Sequence, residues 1–169
     1  MERTKLRRQR EAAASPLDLD RTDRSILRSL QRDASISNVA LAYRVHLSPA
    51  ACLRRVERLK QKGLVRRIVA LLDPVPLRLG MLVVIGVVLD RSTPESFANF
   101  EKAVQKVPGC LECLVVTGEF DYLVTVRTQD NESFNRLHAT ELLYLPGVRQ
   151  IRTFVVLKQV LSTTELPIA

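Results

Sequence analysis

The sequence predicts an α+β protein with two domains, a three-helix domain followed by a β-α-β-β-α-β domain. Three observations predict this fold. Charge is divided unequally, since residues 1–72 hold 17 Lys+Arg and 7 Asp+Glu whereas residues 73–169 hold 9 and 11. The first half contains three short helical patterns with tight turns between them. The second half contains an internal repeat of helix, Pro-Gly and strand.

Four segments are expected along the 169 residues. Residues 1–16 form a basic arm that we expect to be disordered, and residues 17–72 form the helical domain. Residues 73–80, rich in Pro and Gly, form a hinge, and residues 81–169 form the second domain. No export signal or membrane-length apolar run is visible, and three Cys are few, so we expect a cytoplasmic protein without a membrane partner.

The helices of the first domain are bounded by capping residues. Asp20 is expected to cap the first helix, with Asp23 in a capping-box-like position. Ser37 and Ser48 are expected to cap the second and third helices, and Gly63 to end the third. His46 falls in the short turn before the third helix, where His tolerates left-handed backbone geometry.

The third helix divides into two sides on a helical wheel. One side, expected to pack on the first two helices, carries Cys52, Leu53, Val56 and Leu59, and the other carries Ala51, Arg54, Arg55, Arg58 and Lys62. Residues 47–67 hold seven Lys and Arg but one acid, Glu57. This one-sided charge predicts an anionic partner, and the helix spacing predicts a helix-turn-helix for double-stranded DNA. A three-helix bundle with a solvated cationic face and an anionic membrane surface are the alternatives.

After the third helix, the stretch "LVRRIVALLDP" is strand-like and is expected to form a wing or a strand that leaves the domain. The first domain is therefore predicted to be a winged helix-turn-helix. The residues expected at the DNA are Ser37, Asn38, Ser48, Ala50, Ala51, Arg54, Arg55, Arg58, Arg66 and Arg67.

The second half repeats one pattern. The segments 96–116 and 133–156 each contain a helix, a Pro-Gly pair and a strand, and a further strand precedes each helix, at Met81–Leu89 and Tyr122–Thr128. This order predicts the ferredoxin-like fold, with helices on one face of a four-stranded sheet. Because the first strand is apolar on both faces, we expect a second copy of the protein to cover the other face. The stretch "TGEFDY", residues 117–122, is expected to form a hairpin between the middle strands.

Motifs for catalysis or metal binding are weak. Cys110 and Cys113 form a C-x-x-C, but they are expected to point to opposite faces of a strand and lack further zinc ligands. No phosphate loop or nucleophile–base pair is visible. We therefore expect neither an enzyme, a metal site nor a cofactor.

Both halves resemble the Lrp/AsnC transcription regulators, the leucine-responsive or feast/famine group. The resemblance covers residues 17–160 and is carried by "LDRTDRSILRSLQRDASISNVALAYRVHLSPAACLRRVERLKQKGLV", "ALLDP", "ECLVVTGEFDYLVTV" and "LPGVRQIRTFVVLKQV". The family commonly has Gly where His46 stands, and often Thr-Pro where Ala50-Ala51 stands. The fold is expected to survive both departures, whereas the bases read are left open.

The resemblance implies a sequence-specific regulator with a ligand-sensing domain that forms homodimers and then tetramers or octamers. The effector would be a free amino acid or a related metabolite bound between dimers. The residues implied at that site are Val115, Thr117, Gly118, Glu119, Phe120, Asp121, Leu123, Val155 and Val156. Asp121 would pair with the effector's ammonium group, or alternatively only cap the hairpin. An architectural protein that compacts DNA with little sequence preference is the alternative function.

Overall fold

The computed structural model describes residues 19–91 and 93–169, which form two compact units. The expected disorder of residues 1–16 lies outside the described residues. The first unit comprises the described residues up to Ala70 together with Ser162–Ala169, and the second comprises Leu71–Leu161. The expected second domain, residues 81–169, includes residues 162–169, whereas in the structure these residues pack with the first unit. Hydrogen bonds between helix side chains and the main chain of this final segment, together with the side chain of Ile168, attach it to the first unit.

Three helices form the first unit, α1 (Arg21–Arg32), α2 (Asn38–Arg44) and α3 (Pro49–Gln61). Each begins after the expected cap, because the side chains of Asp20, Ser37 and Ser48 accept hydrogen bonds from main-chain N–H groups three residues on. The left-handed geometry expected of His46 is confirmed, with a φ of 56°. Among the described residues, no helix is long and apolar enough to cross a membrane.

The core of the first unit contains Ile26, Leu41, Cys52 and Leu59, all almost fully buried. The expectation that Leu53 joins this core is wrong, since its side chain is 51% exposed. At 100° per residue, Leu53 lies about 90° from the centre of the buried stripe of α3, where the other two helices do not reach it.

The strand expected in residues 64–74 is absent from the structure. The chain there is irregular as far as a turn at residues 74–78, and Ile68, Val69, Leu71 and Leu72 are exposed. A strand requires a neighbour to accept its hydrogen bonds, and no strand within residues 19–91 or 93–169 pairs with the segment.

The second unit has the expected β-α-β-β-α-β order. Its elements are β1 (Met81–Leu89), α4 (Pro94–Val104), β2 (Cys110–Val115), β3 (Tyr122–Thr128), α5 (Asn131–Thr140), a 3₁₀ turn (Leu142–Tyr144) and β4 (Val148–Val155). The strands form one antiparallel sheet in the order β2-β3-β1-β4. One face packs on the helices through Ile85, Phe100 and Val124, all nearly inaccessible to solvent. The other face is partly open, since Leu82, Val84 and Val88 are only half-buried there, and the loop that follows β2 lies against it.

A bulge in β2 corrects the expected directions of the two thiols. Cys110 pairs with Val126 and Cys113 with Val124, with a register shift between Cys110 and Glu112. Because Val124 and Val126 both point toward the helices, the two Cys side chains lie on the same face. The expectation that they diverge is wrong, since it assumed an unbroken strand.

The repeated Pro-Gly turns provide a matched pair of variants. Gly109 and Gly147 both have a φ of 72°, but a Cβ at Gly109 would lie 2.4 Å from the main-chain oxygen of Arg127, whereas one at Gly147 would meet nothing within 4 Å. We predict that Gly147→Ala costs about 1 kcal/mol through left-handed strain alone. Gly109→Ala is predicted to cost about 2 kcal/mol or more, because the Arg127 main chain must also move. Urea unfolding of both variants tests this, and equal losses would contradict it.

Candidate nucleic-acid interface and ligand-binding residues

A buried carboxylate on α1 holds two of the arginines of α3. Asp23 is 1% exposed. Arg55 Nη1 donates to Asp23 Oδ1 at 2.9 Å, and Arg58 Nη2 donates to Asp23 Oδ2 at 2.6 Å. Each carboxylate oxygen thus accepts one charged donor, which compensates the loss of water around the charge.

Asp20 adds a second acceptor for Arg55. Arg55 Nη1 also donates to Asp20 Oδ2 at 2.5 Å. This hydrogen bond, followed by that from the Asp23 main-chain N–H, lowers the pKa of Asp20. The hydrogen bonds to Asp20 and Asp23 raise the pKa of Arg55 further above its already high value. The side chain of Arg55 is only 29% exposed, whereas that of Arg58 is 47% exposed.

These contacts revise the expectation that Arg54, Arg55 and Arg58 share one free outer face. Arg54 is exposed and makes no ion pair with any residue described. Arg55 and Arg58 are turned toward α1 and neutralised in part. The sequence contained a signal for this, because Asp23 falls on the same helical stripe as Ile26, Leu27 and Leu30. An acid on a buried stripe requires a cation. Asp23 does stand in the expected capping position, with its N–H donating to Asp20, but its carboxylate binds the two arginines.

The other residues expected at the DNA have mixed placements. Ser37 and Ser48 are N-caps, and the side-chain amide of Asn38 donates to the main-chain oxygen of Pro49 at 2.9 Å. That bond ties the start of α2 to the start of α3. The remaining four residues are Ala50, Ala51, Arg66 and Arg67. Ala51 is half-buried, and the other three are exposed.

The loop between β2 and β3 is fixed by Asp121. Its main-chain N–H donates to the Val87 oxygen at 2.9 Å, and its Oδ2 accepts from the Leu89 N–H at 2.8 Å. Leu89 lies where the pairing of β1 with β4 shifts register, so this carboxylate satisfies an N–H at a break in the ladder. Gly118 has a φ of 114° and no described atom within 4 Å of where a Cβ would stand.

The same loop reaches across the uncovered face of the sheet. A Cβ on Gly86 would lie 2.6 Å from the ring of Phe120, so the ring occupies the place of a side chain on β1. Phe154 of β4 meets this ring edge-on at 6.2 Å between centroids, and the guanidinium of Arg152 lies 5.8 Å from its centre. Arg152 also pairs with Glu119. Sequence reasoning missed Arg152 and Gly86, since neither stands near the loop in the chain.

A cavity of about 550 Å³ lies on the helix side of the sheet, beside the edge strand β2. Tyr122, 1% exposed, donates to Glu101 Oε1 at 2.9 Å, and burial followed by this bond raises the pKa of Tyr122. Burial, followed by the nearby Cys110 and Glu101, raises the pKa of Cys113 to about 11. Both thiols are therefore protonated at neutral pH and are poor nucleophiles.

The nine residues expected at the effector site do not form one pocket within a single chain. Only Val115 lines the cavity. Val115 pairs with Tyr122 on the helix side, whereas its near neighbour Leu123 points to the other face. Val155 lies on the opposite edge of the sheet and pairs with Val83, about 13 Å along β1 from the loop contact at Val87. Val156 follows it, with its N–H donating to the Leu82 oxygen.

Comparison with known proteins identifies the family. The description "Lrp/AsnC ligand binding domain" matches residues 82–166, and "Winged helix-turn-helix DNA-binding" matches residues 19–66. The chain belongs to the Lrp/AsnC family. It is a DNA-binding transcriptional regulator with a ligand-binding domain, and the predicted fold class and family are confirmed.

Relatives within the Lrp/AsnC family cover nearly the whole chain. The leucine-responsive regulatory proteins of Klebsiella pneumoniae and Escherichia coli K12 are each 45% identical over 151 residues, which is 89% of this chain and 92% of theirs. A transcriptional regulator from Neisseria meningitidis, solved with L-methionine, has a TM-score of 0.84 and 39% identity, covering 88% of this chain and 96% of its own. An AsnC family regulator from Agrobacterium tumefaciens has a TM-score of 0.83 and 32% identity, covering 88% and 96%.

The ion-pair cluster leads to a stability prediction. Replacing both Arg55 and Arg58 with Ala leaves Asp23 charged and buried without a cation, and is predicted to cost about 3 kcal/mol of unfolding free energy. The matched control Arg54→Ala, also on α3, should stay within about 0.5 kcal/mol of wild type. Urea unfolding at neutral pH measures both. Similar losses in the control and the double variant would show that Asp23 does not depend on these two arginines.

Proposed function

We propose that this Lrp/AsnC regulator binds specific DNA sites through α3 and responds to a free amino acid of apolar character. One observation carries the proposal. The chain joins a helix-turn-helix with a cationic third helix to a ligand-binding domain. In an alignment that covers 88% of the chain, it is 39% identical to a regulator solved with L-methionine. As a DNA-binding transcriptional regulator, it would act in the cytoplasm.

The arginines of α3 would have different roles in DNA binding. Arg54 is exposed and free among the described residues, so its guanidinium can approach a base edge or a phosphate. Arg55 and Arg58 are held by Asp23, and Arg58 still exposes about half of its side chain. Their fixed positions reduce the side-chain entropy lost on binding phosphate. The small Ala50 and Ala51 at the start of α3 would allow the helix to lie close to the base pairs.

The effector site would be completed by a second copy of the chain. Its expected residues lie on both faces and both edges of one sheet, so a single chain offers only parts of a pocket. Asp121 Oδ2 is bound to a main-chain N–H, which leaves its other oxygen to accept from an ammonium group. Main-chain N–H groups beside Gly118 would take the carboxylate, because Gly allows a close approach.

Self-association would cover the open face of the sheet. Leu82, Val84, Val88 and Phe154 lie on this face, beside the ring of Phe120. Apolar side chains on an otherwise uncovered sheet favour pairing with a second copy. We propose a homodimer through this face, which assembles further to a tetramer or octamer when effector sites form between dimers.

DNA binding tests the role of Arg54. Arg54→Ala should weaken binding to the gene's own upstream region without changing stability. If Arg54 contacts a phosphate, the salt slope should fall by about one unit, and if it contacts a base, discrimination against altered sites should fall. Lys106→Ala, which removes the same charge from the ligand-binding domain, is the control and should bind as wild type.

Scrambled DNA of the same length and composition distinguishes the two functions left open by the sequence. A site-specific regulator should bind its own upstream region at least 10³ times more tightly than scrambled DNA. Equal affinities for both would indicate the architectural function instead.

Effector binding tests the role of Asp121. Asp121→Asn retains an oxygen for the Leu89 N–H but loses the charge, so it should fold normally and lose the response of DNA binding to L-methionine. Asp121→Ala should lose the response and also about 1 kcal/mol of stability. Titration of L-methionine, with operator binding and sedimentation as readouts, measures the response. An Asn variant that responds as wild type does would assign Asp121 to the loop alone.

A further inference from the structure

One face of α1 carries a row of long polar side chains, and the final segment of the chain lies along it. Arg24, Arg28 and Gln31 recur at intervals of four and three residues, with Arg32 beside them. Side chains at this spacing project from the same side of a helix. All four contact residues 165–169. None of these contacts involves Asp20 or Asp23, the two acids that bind Arg55.

The carboxyl-terminal end of α1 meets the start of this segment. The side-chain amide of Gln31 makes two hydrogen bonds to the main chain of Leu166, donating from Nε2 to its oxygen at 3.1 Å and accepting at Oε1 from its N–H at 2.7 Å. Gln31 thus forms hydrogen bonds with both main-chain polar groups of Leu166, as a neighbouring strand would. Arg32 Nε lies 3.5 Å from Glu165 Oε2, but both side chains are largely exposed, so this pair contributes little.

The amino-terminal half of α1 meets the last two residues. Arg28 Nη1 donates to the main-chain oxygen of Ile168 at 3.3 Å, and Arg24 Nη1 donates to that of Ala169 at 2.9 Å. Ile168 is the one residue of 162–169 that is not exposed, and it packs against the core of the first unit. The segment is therefore anchored by one apolar side chain and by hydrogen bonds to its main chain.

The contacts follow one another in a regular order along both elements. The contacts run in opposite directions, from Arg32 to Arg24 on the helix and from Glu165 to Ala169 on the segment. The segment turns at Pro167, where the Ile168 N–H donates to the Leu166 oxygen at 2.9 Å. Its four contacts nevertheless follow α1 over about two helical turns, so docking does not depend on a single point of contact.

We propose that this face of α1 is a docking surface for residues 162–169 of the same chain, and that docking makes a second connection between the DNA-binding and ligand-binding domains. The first connection is residues 62–80. The docked segment follows β4 after six residues, 156–161, and Val155 and Val156 at that end belong to the proposed effector site. The link from the docked segment to the effector site rests on the proposed function, whereas docking itself does not.

The docked segment is connected to the DNA-binding arginines through one helix, α1. Arg24, which holds Ala169, also donates from Nε to the Leu19 oxygen at 3.1 Å, just before the cap of α1. The adjacent Asp23 holds Arg55 and Arg58. A displacement of the segment by effector would therefore act on the same turn of α1 that orients the recognition helix.

The chain contains a matched pair of variants for testing docking. Ile168→Asp places a charge at the one half-buried position of the segment, whereas Leu166→Asp makes the same change at a side chain that is 70% exposed. Hydrogen exchange at the Leu166 amide, whose N–H donates to Gln31, reports docking directly. We expect this amide to be protected at least tenfold relative to an unstructured peptide in wild type and in Leu166→Asp, and unprotected in Ile168→Asp.

A second variant distinguishes loss of docking from unfolding of the domain. Gln31→Ala removes the reciprocal hydrogen bonds but no apolar contact, and it should also lose the protection at Leu166 while the Leu59 amide in α3 stays protected. Full protection of Leu166 in either Ile168→Asp or Gln31→Ala overturns the docking surface. Protection that rises with protein concentration overturns docking within the same chain, because it would show that a second copy provides the segment.

The connection between domains is tested with L-methionine and operator DNA. Ile168→Asp should bind DNA within about twofold of wild type without effector, and lose at least two thirds of the effector-induced change in affinity. Leu166→Asp should respond as wild type. A full response in an undocked variant overturns the regulatory role. A wild-type protein that responds to no amino acid refutes the proposed effector function instead, and the exchange data still decide docking.

Discussion

The buried carboxylate of Asp23 is the constraint on which the DNA-binding domain depends. A charge that is 1% exposed is costly unless both oxygens find donors, and Arg55 and Arg58 of α3 supply them. The same bonds therefore stabilise the packing of α1 on α3 and orient two arginines near the proposed DNA surface. Stability and recognition share these residues, which explains why a face that is unusually cationic in the sequence is less cationic in the structure.

The ligand-binding domain has its own constraint at Gly86. The absence of a side chain in the middle of β1 makes room for the ring of Phe120, and this contact holds the loop of residues 117–121 over the uncovered face of the sheet. Arg152 and Glu119 pair at the margin of this contact. The loop is thus placed by the face that would pair with a second copy, so self-association and effector binding would be sensitive to each other.

Much of the fold could be predicted because its determinants are local. Helix caps at Asp20, Ser37 and Ser48 act within three residues, and the bounds of β1 and β3 agree with their apolar runs. The repeated Pro-Gly turns, with Gly109 and Gly147 both at a φ of 72°, order the strands and helices of the second domain. Two of the failures occurred where a segment lacked a partner or lay at the margin of a core, at residues 64–74 and at Leu53.

The sequence by itself determined the element order, the caps, the cationic third helix and the family to which the chain belongs, since these depend on composition and short-range spacing. Only the tertiary structure decided that Asp23 binds Arg55 and Arg58, that a bulge turns Cys110 and Cys113 to one face, and that the final segment lies on α1. Those contacts join residues as far apart as 32 positions for Asp23 and Arg55 and 145 for Arg24 and Ala169. Periodicity cannot reveal them, because a burial pattern states that a side chain needs a partner but not which distant residue the packed chain brings within hydrogen-bond distance.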